Sequence, residues 1–296
     1  MVEFKMLIGP AGSGKSTLAH SYEDKENYKV VSSDSIRELL YGDASIQGNP
    51  REVFAIVHIR ILDYLKGGYN VVYDATNLNA KQRKTFLREI PSSVWVEAVV
   101  CACSIESCIE RQEHRDRKVP EHVIERQFRH FDFPQYFEGF NKISYRVLDN
   151  RTFSLGDLLT KANSIAHDNQ HHEGTIYDHI QSAYQYSCRH FSSALINEVM
   201  LLHDIGKIYT KSFFNAKGDP SIDAHYYGHE HVSAIYSLLI GGHGLSEKDS
   251  ESLIYRAQLI DLHMAMHGDT TKLEKKLSQK SYQDLCMIHE CDENAL

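Results

Sequence analysis

Two short stretches of this chain carry side chains suited to phosphorus chemistry. LLHDIGKIY, residues 201–209, ends an apolar helical run with His203 and Asp204 side by side, an imidazole and a carboxylate that both bind divalent cations. IGPAGSGKST, residues 8–17, fits G-x-x-x-x-G-K-[ST] from Gly9 to Ser16. In such a loop Gly9, Gly12 and Gly14 let the backbone curl until its N–H groups converge on phosphate oxygens, and Ser13 and Thr17 complete the run. The helix that starts near Lys15 adds its positive end. Lys15 neutralises β and γ oxygens of ATP, and the Ser16 hydroxyl reaches Mg²⁺.

Three further groups extend the first stretch. Asp34, in VVSSDSIREL, stands where the second predicted strand ends, at the carboxyl edge where ligands of parallel sheets gather. A carboxylate there can take the proton of an attacking hydroxyl. It can equally cap the helix SIRELL, which is worth about 1 kcal/mol. Asp74, in VVYDATN, ends the next strand and is either an aid to magnesium or substrate ordering or a turn residue. Arg111, Arg115, Arg117 and Lys118 precede Pro120, a helix-opening position. Arginines four apart share a helical face and can swing over a γ-phosphate; the plain alternative is a solvated charged helix.

The elements that must position these groups change character near residue 150. Before it, FKMLI, YKVVSSD, YNVVYDATN, VWVEAVVCACS and ISYRVL read as five strands. Between them PREVFAIVHIRILDYLKGG reads as a helix opened by Pro50 and closed by Gly67–Gly68, with Val53, Ile56, Val57, Ile61 and Tyr64 on one face. Such alternation predicts a parallel sheet covered by helices on both faces. After it the strand signals stop. LGDLLTKANSIAHD, TIYDHIQSAYQYSCRHF, ALINEVMLLHDIGK, YGHEHVSAIYSLLI, SESLIYRAQLIDLHMAMH and KSYQDLCMIHECDENAL all read as helices, joined by loops such as NAKGDPSID. The expectation is an α/β domain over residues 1–152 and an all-α domain over 153–296.

Composition limits the partners. Net charge is −8 over 296 residues, and no basic stripe tracks a nucleic-acid backbone, so any nucleic acid is met locally, at an end. No apolar stretch is long enough for a membrane span, and MVEFKMLIGP runs into a strand without room for a signal peptide. The six cysteines form no CxxC pair, and Cys101, Cys103 and Cys108 read as buried thiols of a reducing cytoplasm. Most of the 18 histidines fall after residue 150, which points to metal in the second half.

Taken together, Gly9–Thr17, Ser33-Asp34-x-x-Arg37, Asp74-Ala-Thr-Asn77 and Arg111-x₃-Arg115 followed by Val119-Pro120 resemble the kinase domain of phage-type polynucleotide kinase, over about residues 1–150. The resemblance implies that Asp34 is the general base for a 5′-hydroxyl and that Arg37 holds the acceptor's phosphate. It also implies that lid arginines bind ATP, with Lys15 and Arg115 beside Asp34 in the catalytic set. One residue is missing between Arg115 and Pro120 relative to the family spacing, which leaves Arg115 and Arg117 both open for that role.

The second half has its own likeness. His179 in TIYDHI, His203-Asp204, His229 in YYGHEHVSA, His263 in LIDLHMAMH and Asp292 in HECDENAL follow the order of the HD superfamily of metal-dependent phosphohydrolases. The wording LLHDIGK and YYGHE is similar to the HD domain of bacterial tRNA nucleotidyltransferases. The resemblance implies a primary ligand set of His179, His203, Asp204 and Asp292, completed by His229 and His263 into a two-metal site. The ions would be divalent Mn, Ni, Co, Zn or Fe. Lys207, just past Gly206, is placed to meet substrate phosphate. His190 and His243 read as packed core residues, and His225 and His231 as bystanders.

One end of the chain would then add phosphate and the other remove it. The expectation is a bifunctional end-healing enzyme of RNA or DNA: an ATP- and Mg²⁺-dependent 5′-hydroxyl kinase joined to a 2′,3′-cyclic phosphate or 3′-end phosphohydrolase. Lys217-Gly-Asp-Pro does not make the nucleotidyl-lysine motif K-x-D-G, so sealing falls to a separate ligase. The compact fusion suits a phage-infected cell. The rival readings are a small-molecule or nucleoside kinase fused to a nucleotide phosphohydrolase, and a non-enzymatic nucleotide sensor.

Overall fold

Five runs rich in Val, Ile and aromatic residues become five strands because each can bury both faces. The computed structural model describes residues 1–115, 117–168, 174–242 and 247–295. The chain divides into two compact units, Met1–Gln127 with Pro134–Asn150 and Phe128–Phe133 with Arg151–Leu296. The short segment Phe128–Phe133 thus falls with the second unit, whereas the sequence pattern places all of 1–152 in the first.

In order, the chain up to Asn150 comprises β1 (Glu3–Ile8), α1 (Lys15–His20), β2 (Tyr28–Ser32), α2 (Ser33–Tyr41), α3 (Pro50–Lys66), β3 (Asn70–Asp74), α4 (Ala80–Leu87), β4 (Trp95–Ala102), α5 (Ile105–Glu113), α6 (Glu121–Arg129) and β5 (Lys142–Val147). The strand order is β2-β3-β1-β4-β5, and every pairing is parallel. Leu7, Val72, Val99 and Cys101 pack with Ala19 of α1 on one face. Phe4, Tyr73 and Phe86 interlock elsewhere, Phe86 meeting Phe4 edge-on at 5.9 Å between ring centroids. In α3 the buried stripe runs Val53, Val57, Ile61, Leu65, one residue every four. Ile56 and Tyr64 flank it half-buried.

A buried ion pair holds the loop after β3. Arg83 donates from Nε and Nη2 to the two oxygens of Glu138, both at 2.8 Å, and from Nη1 to the carbonyls of Asn77 and Leu78. That bidentate geometry fixes the segment that follows Asp74. Cys101, Cys103 and Cys108 are buried free thiols.

The second unit comprises α7 (Leu155–Asn163), α8 (Ile176–His190), α9 (Ala194–Leu202), α10 (Lys207–Thr210), β6 (Ser212–Phe214), β7 (Pro220–His225), α11 (His229–Leu239), α12 (Glu247–Leu262), α13 (Thr271–Glu274) and α14 (Gln279–Glu293). It is not wholly helical: β6 and β7 pair as an antiparallel hairpin across the segment that reads as a loop. The hairpin eludes sequence reading because its strands are short and their apolar residues exposed, with Ile222 at 96%. Burial therefore leaves no period-two pattern there. Helix α7 also stops at Asn163, earlier than expected, and Ala166 bridges Thr175 instead. Every residue of α11 from Val232 to Leu239 is buried, so this helix is the unit's axis, with α12 against it. Among the described residues no helix is long and apolar enough to cross a membrane.

Candidate active sites

In the first unit the glycine loop is bent by necessity. Gly12 and Gly14 have φ of +84° and +89°, a region L side chains rarely adopt, and a Cβ on Gly12 would come within 2.5 Å of the Cys108 carbonyl oxygen. Lys15 begins α1 and is buried, its ammonium bonded to the Pro10 carbonyl at 2.7 Å and to Ser13 Oγ at 3.3 Å. Burial pushes that ammonium below its usual pKa, so an arriving anion would stabilise its charge. Asp74 lies on β3 opposite Leu7 of β1, hydrogen-bonded to Ser16. Burial raises its carboxyl, against the pull of Lys15. Ser16 beside Asp74 is an oxygen pair that fits a hydrated Mg²⁺.

The loop forms one wall of a cleft of about 870 Å³, lined also by Asp34, Arg37, Asp74, Arg115 and Arg117. A cleft of this size accepts a nucleotide. The capping role weighed for Asp34 belongs to Ser32, whose Oγ accepts the Asp34 N–H at 3.2 Å. The Asp34 side chain is 55% exposed, and its Oδ1 accepts from Arg37 at 2.8 Å and lies 3.0 Å from Arg117 Nη1. Arg37 is buried, and its Nε has no hydrogen-bond partner, which leaves it a donor for a ligand anion.

Arg111 does not line this cleft. Its guanidinium donates to the carbonyls of Gly12 and Leu148, so it braces the glycine loop from behind. Gly9 likewise shapes the loop, its N–H bonded to Thr76 O. Phe54, Arg126 and Gln127 also line the cleft, and no motif marks them in the sequence. Gln127 accepts the Ala11 N–H at 2.7 Å. Nothing in its spacing encodes that contact, which depends on how α6 folds back.

In the second unit six side chains from separate elements meet. A capping box between Thr175 and Asp178 fixes the start of α8, which sets the rotation that buries His179. His203 caps the end of α9, Asp204 follows it, His229 begins α11, His263 follows α12, and Asp292 lies on α14. His179, His203, Asp204 and Asp292 offer donor atoms within 4.8 Å of one another, as do Asp204, His229 and His263. Asp204 joins the two groups: Oδ2 is 3.1 Å from His179 Nε2, and Oδ1 is 3.0 Å from His229 Nε2.

The donor set fits a metal on chemical grounds. His203, His229 and His263 each bond Nδ1 to a backbone carbonyl, of Met200, Tyr226 and Ile260. A carbonyl only accepts, so each Nδ1 carries its hydrogen. With Nδ1 as the donor, the tautomer that binds a metal would aim a bare Nε2 lone pair inward from each ring. His229 and His263 face each other at 3.3 Å, and His203 faces Asp292 Oδ1 at 3.3 Å. Acceptor against acceptor is repulsive unless a cation or an extra proton stands between. Burial pushes His263 down to about 3, which favours the neutral ligand form. For His179 burial opposes the charge, yet hydrogen bonds to Asp204 and Asp292 raise it to about 9. Burial would likewise raise Asp204, but Lys207 and the surrounding imidazoles hold it well below the carboxylate range.

Lys207 is buried with its ammonium 2.6 Å from Asp204 Oδ2 and 3.4 Å from His167 Nε2. His167 is fully buried there, and no motif in the sequence marks it. Lys207, His229, Tyr226 and Tyr227 line an adjoining pocket of about 410 Å³. His231 pairs instead with Asp261 at 2.7 Å, and His225 with Ser221, so neither joins the donor groups. His190 is exposed and stacked on Tyr186 rather than packed in a core. His243 lies outside the described residues.

Residues 5–134 match the family model described as an AAA domain. The matched stretch includes the glycine loop, Asp34, Asp74 and the arginines of the cleft. No curated protein matches the chain. Among solved structures, it is similar to a chain of the Pnkp1/Rnl/Hen1 RNA repair complex, with 22% identity and a TM-score of 0.40, over 43% of this chain and 42% of that one. It is also similar to a gluconokinase from Sinorhizobium meliloti 1021, with 17% identity and a TM-score of 0.36 over 49% and 85%. A tunicamycin resistance protein from Deinococcus radiodurans shows 16% identity and a TM-score of 0.33 over 43% and 78%. The alignment thus spans about two fifths of the first of these chains.

Proposed function

We propose that the chain heals nucleic-acid ends with two independent sites. The first phosphorylates a 5′-hydroxyl from ATP, and the second hydrolyses a 2′,3′-cyclic phosphate or 3′-phosphate. The observation that carries this reading is that each compact unit holds a complete donor set of its own: a phosphate loop with a carboxylate across its cleft, and six inward-facing imidazole and carboxylate groups.

In the kinase unit the acceptor oxygen attacks the γ-phosphorus of ATP. The bond from that phosphorus to the β,γ-bridging oxygen breaks, ADP leaves, and the hydroxyl proton passes to the Asp34 carboxylate. Lys15 balances the phosphate charge, and Ser16 with Asp74 would hold hydrated Mg²⁺. Arg37 binds the acceptor's phosphate, while Arg115 and Arg117 face the transferred group.

In the second unit His179, His203, Asp204 and Asp292 would hold one divalent ion, and Asp204, His229 and His263 a second. Such ions lower the pKa of bound water toward about 7 and polarise a phosphoryl oxygen. Lys207 offsets the charge of the substrate phosphate at the inner end of the pocket.

The test offers ATP, Mg²⁺ and Mn²⁺, Ni²⁺ or Co²⁺ with an RNA oligomer bearing a 5′-hydroxyl and a 2′,3′-cyclic phosphate. Both ends should be converted. The net charge of −8 favours the rival, a small-molecule kinase joined to a nucleotide phosphohydrolase. Phosphate transfer to nucleosides but not to oligomers would establish that rival instead.

A further inference from the structure

A third group of metal-binding side chains lies outside the two donor sets above. His267 ends the short 3₁₀ turn after α12, and His289 and Glu293 lie four residues apart on α14. Spacing of four puts both on one helical face. One donor atom from each of the three lies within 4.8 Å of the others. The rings of His267 and His289 meet edge to face at 4.7 Å between centroids.

Two features favour a ligand here. The Nδ1 atom of His289 is buried with no hydrogen-bond partner. His267 faces a carboxylate from each nitrogen, Nε2 at 3.3 Å from Asp292 Oδ2 and Nδ1 at 3.0 Å from Glu293 Oε1. A neutral imidazole has one N–H to give, so one of those contacts sets lone pair against lone pair. Either a second proton or a cation resolves it.

We infer that His267, His289 and Glu293 form an additional divalent-cation site, linked through the His267 ring to the second oxygen of Asp292. Two imidazoles and a carboxylate suit Zn²⁺, Ni²⁺, Co²⁺ or Mn²⁺. The side chains of His267 and Glu293 are 33% and 55% exposed, so water completes the coordination and the ion exchanges readily. Because Asp292 Oδ1 faces the buried set, an ion here also steadies a carboxylate that the buried set uses.

Equilibrium dialysis of the full chain against Zn²⁺, and separately Mn²⁺, followed by metal analysis, tests the site. The wild type should hold one equivalent more than Glu293→Gln or His289→Ala, and both variants should keep the ions of the buried set. Glu293→Gln changes an exposed residue, so it reports even if His289→Ala misfolds. Asp204→Asn should do the converse, losing buried ions and keeping the outer one. Equal equivalents in the wild type and Glu293→Gln would overturn the inference, and a proton on His267 would then explain the contacts. Loss of the outer equivalent in Glu293→Gln alongside an unchanged count in Asp204→Asn would sustain it while sinking the buried-metal reading.

Discussion

Arg117 lies on Asp34, its Nη1 3.0 Å from Oδ1 of the acid proposed to take the acceptor's proton. Arg117 and Arg37 share that one oxygen, and the γ-phosphate of ATP is an anion that would draw the Arg117 guanidinium toward the transferred group. Arg117→Ala should lower kinase turnover at least tenfold and leave phosphohydrolysis unchanged. Steady-state rates for both reactions, with Arg115→Ala beside it, check this. Wild-type kinase turnover in Arg117→Ala would remove the residue from the mechanism.

Arg37 is buried, spends one nitrogen on Asp34 and keeps an unpartnered Nε. Charge-assisted hydrogen bonds contribute about 1.5–3 kcal/mol. Arg37→Ala should accordingly raise KM for the acceptor roughly 10–100-fold and change KM for ATP little. Separate titrations of the two substrates decide it. An equal rise in both would place Arg37 in general cleft structure.

Asp204 is 2% exposed and touches His179, His229 and Lys207. Asp204→Asn should abolish metal retention by the buried set. It also leaves the buried Lys207 ammonium uncompensated, which costs about 3–5 kcal/mol. Metal analysis and thermal melting read the two effects separately. His263→Ala, which removes a donor of the second group alone, should remove less metal.

Chelation separates the two chemistries without mutation. After exhaustive treatment with a chelator, Mg²⁺ alone should restore kinase activity, because the Ser16 and Asp74 oxygens suit a hydrated hard cation. Phosphohydrolysis should return only with Mn²⁺, Ni²⁺, Co²⁺, Zn²⁺ or Fe²⁺, which nitrogen donors prefer. Recovery of both activities with Mg²⁺ alone would contradict the donor assignment.

The Arg83–Glu138 pair fixes the loop after Asp74 from inside the protein. Glu138→Gln should destabilise the first unit by about 3–5 kcal/mol, since the guanidinium stays buried without its charge partner. Denaturant melts check the loss, and an unchanged midpoint would show that the pair is energetically neutral.

How much of the molecule is legible in its sequence depends on which signals are local. The five strands and the bend at Gly12 and Gly14 are written in adjacent residues, so the sheet and the glycine loop can be read from the sequence alone. Hairpin β6–β7 cannot, because its strands are short and its large apolar side chains, Phe213, Phe214 and Ile222, face solvent. Arg111 illustrates a different limit. Its spacing matches a lid arginine, but only the close packing of α5 on the glycine loop shows it spent on the Gly12 and Leu148 carbonyls. The meeting of His179 with Asp292 joins α8 to α14, and no spacing within either helix encodes it. The contacts of His167 with Lys207 and of His267 with Asp292 are hidden for the same reason, since each ring acquires its neighbour only in the fold.

The most direct test analyses both ends of one RNA oligomer, carrying a 5′-hydroxyl and a 2′,3′-cyclic phosphate, after incubation with Lys15→Ala and with Asp204→Ala. Lys15→Ala should open and clear the cyclic phosphate while leaving the 5′ end unphosphorylated, and Asp204→Ala should give the mirror result. Loss of both reactions from either single change, in protein that remains folded, would contradict two independent sites in one chain.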